Sequence, residues 1–121
     1  MRKILVVEDD YLLRDVYSMI LSTEHHIDTA VNGQDALEKC TNTRYDLILL
    51  DLMMPVVDGI GFLRHFSKDG ELPAKVIVLS NLTSGTELTQ ALRLGAYKNI
   101  LKSDLSPRQL LATVRNELEV V

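Results

Sequence analysis

The stretch Asp46-Leu47-Ile48-Leu49-Leu50-Asp51-Leu52-Met53-Met54-Pro55 decides how this chain is read. Four consecutive apolar residues, Leu47 to Leu50, run directly into a carboxylate. A short apolar run of this kind fits a strand buried on both faces of a parallel sheet. Open α/β sheets place their ligands at the carboxyl ends of the strands. Asp51, the first residue past the run, is therefore the leading candidate for chemistry.

Working outward, two further apolar runs have the same character. Ile4-Leu5-Val6-Val7 ends in Glu8 and Asp9, and Val76-Ile77-Val78-Leu79 stops at Ser80. Two weaker runs, Ile27 to Val31 and Lys98 to Leu101, complete a set of five. Helical periodicity fills the intervals. Leu12, Leu13, Val16, Met19 and Ile20 predict an amphipathic helix over 11–22, capped by Asp10. Asn32-Gly33 predicts a turn before a short helix with Ala36, Leu37 and Cys40 on one face. Ile60, Phe62, Leu63 and Phe66 mark a third helix, closed by Asp69-Gly70. Ser84 and Glu87 form a capping-box pattern before a fourth, with Gly95 past its end. Ser106-Pro107 and Gln109 open the last, whose apolar face is Leu110, Leu111, Val114 and Leu118.

Five strands alternating with five helices predict a doubly wound parallel sheet with helices on both faces. The three strongest runs belong in the centre and the two weak ones at the edges, which the strand order 2-1-3-4-5 satisfies. In that order Glu8, Asp9 and Asp51 meet at one crevice.

The bulk numbers fit such a domain. The 121 residues are 46% hydrophobic and 25% charged, enough to bury a core and unlike a disordered chain. A net charge of −4 supplies no basic field for nucleic acid or an anionic membrane. Cys40 is the only cysteine, so no intramolecular disulfide forms. No run is long enough to span a bilayer, and the apolar segment after Met1-Arg2-Lys3 is too short for a signal peptide. The expected setting is cytoplasmic, with no membrane partner and no direct nucleic-acid binding.

Three converging carboxylates need a counter-charge, because each like-charge pair at about 4 Å costs roughly 4 kcal/mol at an effective dielectric near 20. Either one carboxyl stays protonated or a cation sits among them. Oxygen-only ligands favour a hard ion such as Mg²⁺. Solvated acids at strand ends are the competing reading of Glu8 and Asp9 taken alone. Ser80 and Lys102 shift that balance, since both follow strand runs and project to the same edge. A hydroxyl, an ammonium and a divalent cation around one aspartate suit an anionic tetrahedral group, with phosphate the obvious candidate.

The ordered set Val6-Val7-Glu8-Asp9, Asp51-x-x-Met54-Pro55-x-x-Asp58-Gly59, Ser80, Gly95-Ala96 and Lys102 resembles the receiver domains of two-component response regulators. The match covers essentially the whole chain and reads as a single receiver domain over 1–121. The resemblance implies a flavodoxin-like fold; its sheet order is the one described for a chemotaxis receiver, so it also follows from the family. It further implies that Asp51 is the phosphoacceptor, taking a phosphoryl group from a sensor histidine kinase or a phosphotransfer protein. Glu8, Asp9, Asp51 and the backbone carbonyl of Met53 are the implied ligands of Mg²⁺, with Mn²⁺ as a substitute. Ser80 and Lys102 are the implied switch hydroxyl and phosphoryl-pairing lysine. Phosphorylation would then bias the face of the fourth helix, fifth strand and fifth helix toward a homodimer, an output domain or a target protein. Such a domain catalyses its own phosphorylation and is not an enzyme in the turnover sense.

Four positions bear on how closely the chain follows the family pattern. Ser103 follows Lys102 where the family usually has a proline in a cis bond; before a non-proline residue that bond costs about 2.5–4 kcal/mol, so a trans or differently strained loop is expected. Asn99 stands where the family places the switch aromatic, and nearby Tyr97 is expected in the core. Met53 and Leu82 occupy the positions that influence phosphoryl loss, and neither orients water, so slow autodephosphorylation is expected. His25-His26 reads as a surface turn, His65 as a solvent-facing helix residue, and Cys40 as a small buried hydrophobe.

Other classes fit less well. An Asp-nucleophile phosphatase usually has a second Asp two residues on, where Met53 stands. A flavin or nucleotide binder wants a glycine- or hydroxyl-rich loop after the first strand, not Glu8-Asp9-Asp10. A degenerate receiver acting only as a protein-binding module is disfavoured by the filled acid, hydroxyl and lysine positions.

Overall fold

A computed structural model describes residues 2–81 and 85–119. The elements alternate as β1 (Lys3–Val7), α1 (Tyr11–Leu21), β2 (His26–Ala30), α2 (Gly33–Asn42), β3 (Leu47–Leu50), α3 (Gly59–Phe66), β4 (Lys75–Ser80), α4 (Thr86–Arg93), β5 (Lys98–Leu101) and α5 (Pro107–Glu119). A 3₁₀ turn, Lys102–Asp104, joins β5 to the last loop. The five strands pair in parallel in the order β2-β1-β3-β4-β5. The strand-strength argument holds: β3 is buried at every position, whereas both edge strands are half-exposed along much of their length.

Two apolar layers sandwich the sheet. One packs Leu5, Val7, Ile48, Leu50, Val76 and Val78 against the faces of α2, α3 and α4. The other packs Ile4, Val6, Leu47, Leu49, Ile77 and Leu79 against Tyr17, Leu21, Leu110 and Val114 of α1 and α5. Alternate residues of each central strand thus feed opposite layers, as the period of two requires.

Helix ends follow local chemistry. Asp10 caps α1, its Oδ1 accepting from the N–H groups of Leu12 at 2.9 Å and Leu13 at 3.2 Å. Asn32 is a cap rather than a simple turn residue, its Oδ1 accepting from the Asp35 N–H at 2.8 Å. The box at Ser106 and Gln109 forms reciprocally, at 2.9 and 3.2 Å. Helix α4 begins after Gly85, which takes a left-handed φ of +116°; Ser84 lies outside the described residues. Gly95 leaves the same helix at φ +111°, as expected of a C′ glycine.

Three expectations need correction. On α1, Leu12, Val16 and Met19 point outward (70%, 45% and 72% exposed), while Tyr17 and Leu21 are buried. The helix is turned so that Leu13, Tyr17, Ile20 and Leu21 meet the sheet, a seam spaced as well as the expected one. Tyr97 is not core: it lies on the surface with the Lys75 ammonium 4.4 Å from its ring centre, beside Lys75 and Lys98 paired to the buried Glu117. His25 does lie in the turn between α1 and β2, but not at its surface, since its imidazole is only 11% exposed. His26 and His65 are exposed, and Cys40 packs against the core, where burial pushes its thiol up to about 11.

Candidate functional site

Strands β1, β3, β4 and β5 all end at one edge of the sheet, and the chain leaves each of them with a polar residue. Where β1 and β3 part, Glu8, Asp9 and Asp51 present carboxylate oxygens that all lie within 4.8 Å of one another. Glu8 and Asp51 are buried, 2% and 6% exposed, and Asp9 is open to solvent. The backbone fixes two of them through the parallel ladder: the Asp51 N–H donates to the Val7 carbonyl at 3.0 Å and the Glu8 N–H to the Ala30 carbonyl at 3.1 Å.

Lys102 reaches into this cluster from the far side of the crevice. Its Nζ lies 2.8 Å from Glu8 Oε2 and 3.4 Å from Asp51 Oδ1. Burial works to lower the lysine's pKa, but the Glu8 hydrogen bond and the charges of Asp51 and Glu8 outweigh it, so the ammonium is held above its usual range. For Asp51 the balance runs the other way. Burial first, and then the Glu8 charge, push its carboxyl up to about 6, against the pull of Lys102 and the Met53 N–H. Three carboxylates facing one ammonium leave an excess of negative charge. All the acidic donors are oxygens. The cluster can therefore hold a metal ion, and its chemistry fits a hard divalent cation such as Mg²⁺. A depression lined by Asp9, Leu52, Met53, Met54, Pro55 and Asp58 opens beside it.

Ser80 closes β4, is 3% exposed, and pairs in register with Leu101, so it stands next to the point where Lys102 leaves β5. Asn99 pairs with Val78 farther down the same ladder. Met53 touches Asp51 through its N–H, at 3.4 Å from Oδ1. Among the described residues no peptide bond is cis, so Lys102-Ser103 is trans, as expected where serine replaces proline. Leu82 lies outside the described residues.

Several supporting roles were not legible in the sequence. Arg14, one turn into α1, donates from Nη1 to the carbonyls of Glu8 at 3.0 Å and Asp9 at 3.4 Å, pinning the acid pair. Gly59 starts α3 hard against the β3 exit: its N–H donates to the Leu52 carbonyl at 3.0 Å, and a Cβ there would fall 2.7 Å from the Asp51 carbonyl oxygen. Tyr17, turned inward on α1, sits close enough to feel the charges of Lys102, Glu8 and Asp51. Asp58 caps α3, its Oδ1 accepting from Gly61 N–H at 2.8 Å. Only Gly59 and Asp58 carried a sequence signal, as the Asp-Gly pair after Pro55. A larger cavity, lined by Cys40, Arg44, Tyr45 and Phe66, lies at the opposite end of the strands and belongs to no part of this site.

Fold and cluster together define a class, and comparison with known proteins identifies it. The family model of the response regulator receiver domain matches residues 4–115, and the chain belongs to that family. Among curated relatives, the transcriptional regulatory protein ResD of Bacillus subtilis is 38% identical across 93% of this chain and 46% of its own length. Protein-glutamate methylesterase/protein-glutamine glutaminase 2 of Koribacter versatilis is 33% identical across 96% of this chain and 33% of its own. The chain thus spans about a third to a half of the curated relatives it matches. Among solved structures, the chemotaxis response regulator CheY4 of Vibrio cholerae superposes with a TM-score of 0.85 at 27% identity, covering 97% of this chain and 98% of that one. The BeF3-activated receiver domain DrrB gives 0.84 at 28% identity, covering 99% of each.

Proposed function

We propose that residues 1–121 form a single receiver domain that accepts a phosphoryl group on Asp51, in a Mg²⁺-dependent transfer from a histidine kinase or a phosphotransfer protein. The observation that carries this reading is the Lys102 ammonium, held 2.8 Å from Glu8 and 3.4 Å from Asp51 at a buried carboxyl edge. An ammonium there neutralises incoming phosphoryl oxygens while the aspartate attacks.

The transfer balances simply. An Asp51 carboxylate oxygen forms a bond to phosphorus as the P–N bond of a phosphohistidine breaks, and the electron pair leaves with the imidazole. Burial of Asp51 keeps water from competing during attack. Glu8, Asp9, Asp51 and the Met53 carbonyl would hold Mg²⁺, which would neutralise charge on both partners; Mn²⁺, with similar oxygen chemistry, would serve as well. Ser80 would then donate to a phosphoryl oxygen, and Lys102 would exchange its carboxylate partners for the new charge.

Leu12 at the start of α1 and Met53 and Val56 in the loop after β3 leave an exposed apolar border at the carboxyl edge, and Val16 and Met19 continue it along α1 away from the crevice. That border suits docking of the phosphodonor protein. Because β5 offers Asn99, and Tyr97 lies out on the surface with the lysines, the signal to the face of α4, β5 and α5 travels without a rotating aromatic. That face would control a homodimer, an attached output domain or a target. Met53 beside Asp51 orients no hydrolytic water, which supports slow phosphoryl loss and a switch rather than a catalyst of turnover. None of the described helices is long and apolar enough to cross a membrane.

Incubating the purified protein with acetyl phosphate and Mg²⁺ tests the reading by intact mass. One added phosphoryl group is expected in the wild type and none in Asp51→Asn; equal labelling of both would overturn the assignment. A phosphatase-like reading predicts steady release of phosphate, and a binding-only module predicts no labelling at all.

A further inference from the structure

The two arms that flank the proposed phosphoryl site, Ser80 from β4 and Lys102 from β5, are joined by a side chain. The β4–β5 ladder ends with Ser80 opposite Leu101. One step beyond, where the ladder has stopped, Asn81 Oδ1 accepts a hydrogen bond from the Ser103 N–H at 3.1 Å. That donor exists only because residue 103 is not proline, which has no N–H. The Lys102 carbonyl is held at the same time by the Leu105 N–H at 3.2 Å, closing the 3₁₀ turn Lys102–Asp104. The backbone on the carboxyl side of Lys102 is therefore tied twice, once within its own turn and once across to the residue after Ser80.

We propose that Asn81 is a positioning residue: through the Ser103 N–H it clasps the β5 exit to the β4 exit and so sets where Lys102 stands relative to Asp51. This rests on Asp51 being the phosphoacceptor. A lysine has four rotatable side-chain bonds, and its ammonium reaches both Glu8 and Asp51 only if its Cα is fixed. The family's proline stiffens this loop covalently; here a hydrogen bond between two loops does so, and it links the hydroxyl arm to the ammonium arm. Asn81 itself touches neither carboxylate. Its effect is on the placement of the lysine.

The clasp predicts non-additive mutations. Asn81→Ala removes the acceptor, and Ser103→Pro removes the donor. Asn81→Ala should slow the maximal rate of Mg²⁺-dependent phosphorylation by acetyl phosphate about fivefold, the effect of one net hydrogen bond, whereas Ser103→Pro trades that bond for the ring's own stiffness and should lose less. The half-saturating acetyl phosphate concentration should move little, because the clasp acts on lysine placement and not on donor binding. In the Ser103→Pro background, Asn81→Ala should do nothing further. Unchanged rates in Asn81→Ala, or fully multiplicative losses in the double variant, would overturn the clasp. Amide hydrogen exchange of the metal-free protein gives a second readout that needs no phosphorylation. The Ser103 amide should exchange about fivefold faster in Asn81→Ala, and equal exchange would also overturn the proposal. If the wild type takes up no phosphoryl group, the phosphoacceptor reading fails, and the clasp is judged by the exchange measurement alone.

Discussion

Replacing Asp51 by Asn keeps the shape of the buried side chain and removes its charge, so the structure predicts a more stable protein that has lost its chemistry. In the metal-free protein, burial and the neighbouring Glu8 push the Asp51 carboxyl up to about 6 from an ordinary 3.8. A carboxyl with a raised folded value binds its proton more tightly in the folded state. Folding stability therefore falls as pH rises from the unfolded value through the folded one, and the full penalty is present at neutral pH. About two units correspond to ~3 kcal/mol, which solvent in the open crevice reduces to ~1–2 kcal/mol. Asn avoids that penalty, and Lys102 keeps its closer partner Glu8 at 2.8 Å. Urea unfolding in a chelator at pH 7.5 should therefore show Asp51→Asn more stable by ~1–2 kcal/mol, the gap shrinking to about a third at pH 4.5. Mg²⁺ should stabilise the wild type more than the variant, because it relieves the repulsion the variant lacks. A variant less stable than the wild type at pH 7.5, or a gap independent of pH, would refute the electrostatic account of the site.

Three further changes probe the scaffold. Gly59→Ala drives a Cβ to 2.7 Å from the Asp51 carbonyl oxygen and should cost about 1–3 kcal/mol in urea unfolding while slowing phosphorylation. His25→Leu should stabilise the protein by about 1 kcal/mol, since both ring nitrogens of His25 are buried without a hydrogen-bond partner among the described residues; a loss of stability would show that the imidazole makes a contact worth keeping, such as that to Glu24 at 3.9 Å. Leu12→Glu, on the exposed side of α1, should slow phosphotransfer from a partner kinase about tenfold and leave labelling by acetyl phosphate unchanged. Equal slowing with both donors would place Leu12 in the chemistry instead of the docking surface.

The sheet and the acid cluster were legible in the sequence because central parallel strands have little freedom. Ile4 to Val7, Leu47 to Leu50 and Val76 to Leu79 are apolar at every position, and such runs fit only the middle of a covered sheet. Once they are adjacent, topology alone brings Glu8 and Asp9 to Asp51. The orientation of α1 was not legible. Its apolar residues cover a wide arc containing two helical seams, and periodicity cannot choose between Leu12-Val16-Met19 and Leu13-Tyr17-Leu21. Tyr97 and His25 were misplaced for a related reason: both are amphipathic, and their burial depends on neighbours distant in sequence. Tyr97 is drawn outward by the lysines around Glu117, while His25 is covered where α1 turns into β2. Arg14 and Asn81 left no signal, because each acts on backbone atoms that only the fold brings near.

The central claim is that Asp51, and not another acid of the cluster, takes the phosphoryl group with the help of Mg²⁺ and Lys102. Reduction of the acetyl-phosphate-treated protein with borohydride converts an aspartyl phosphate to homoserine, which peptide mass mapping can place. Homoserine at position 51 alone, dependent on Mg²⁺ and strongly reduced in Lys102→Ala, is the predicted result. Modification at Glu8 or Asp9, or modification of Asp51 indifferent to both Mg²⁺ and Lys102, would contradict it.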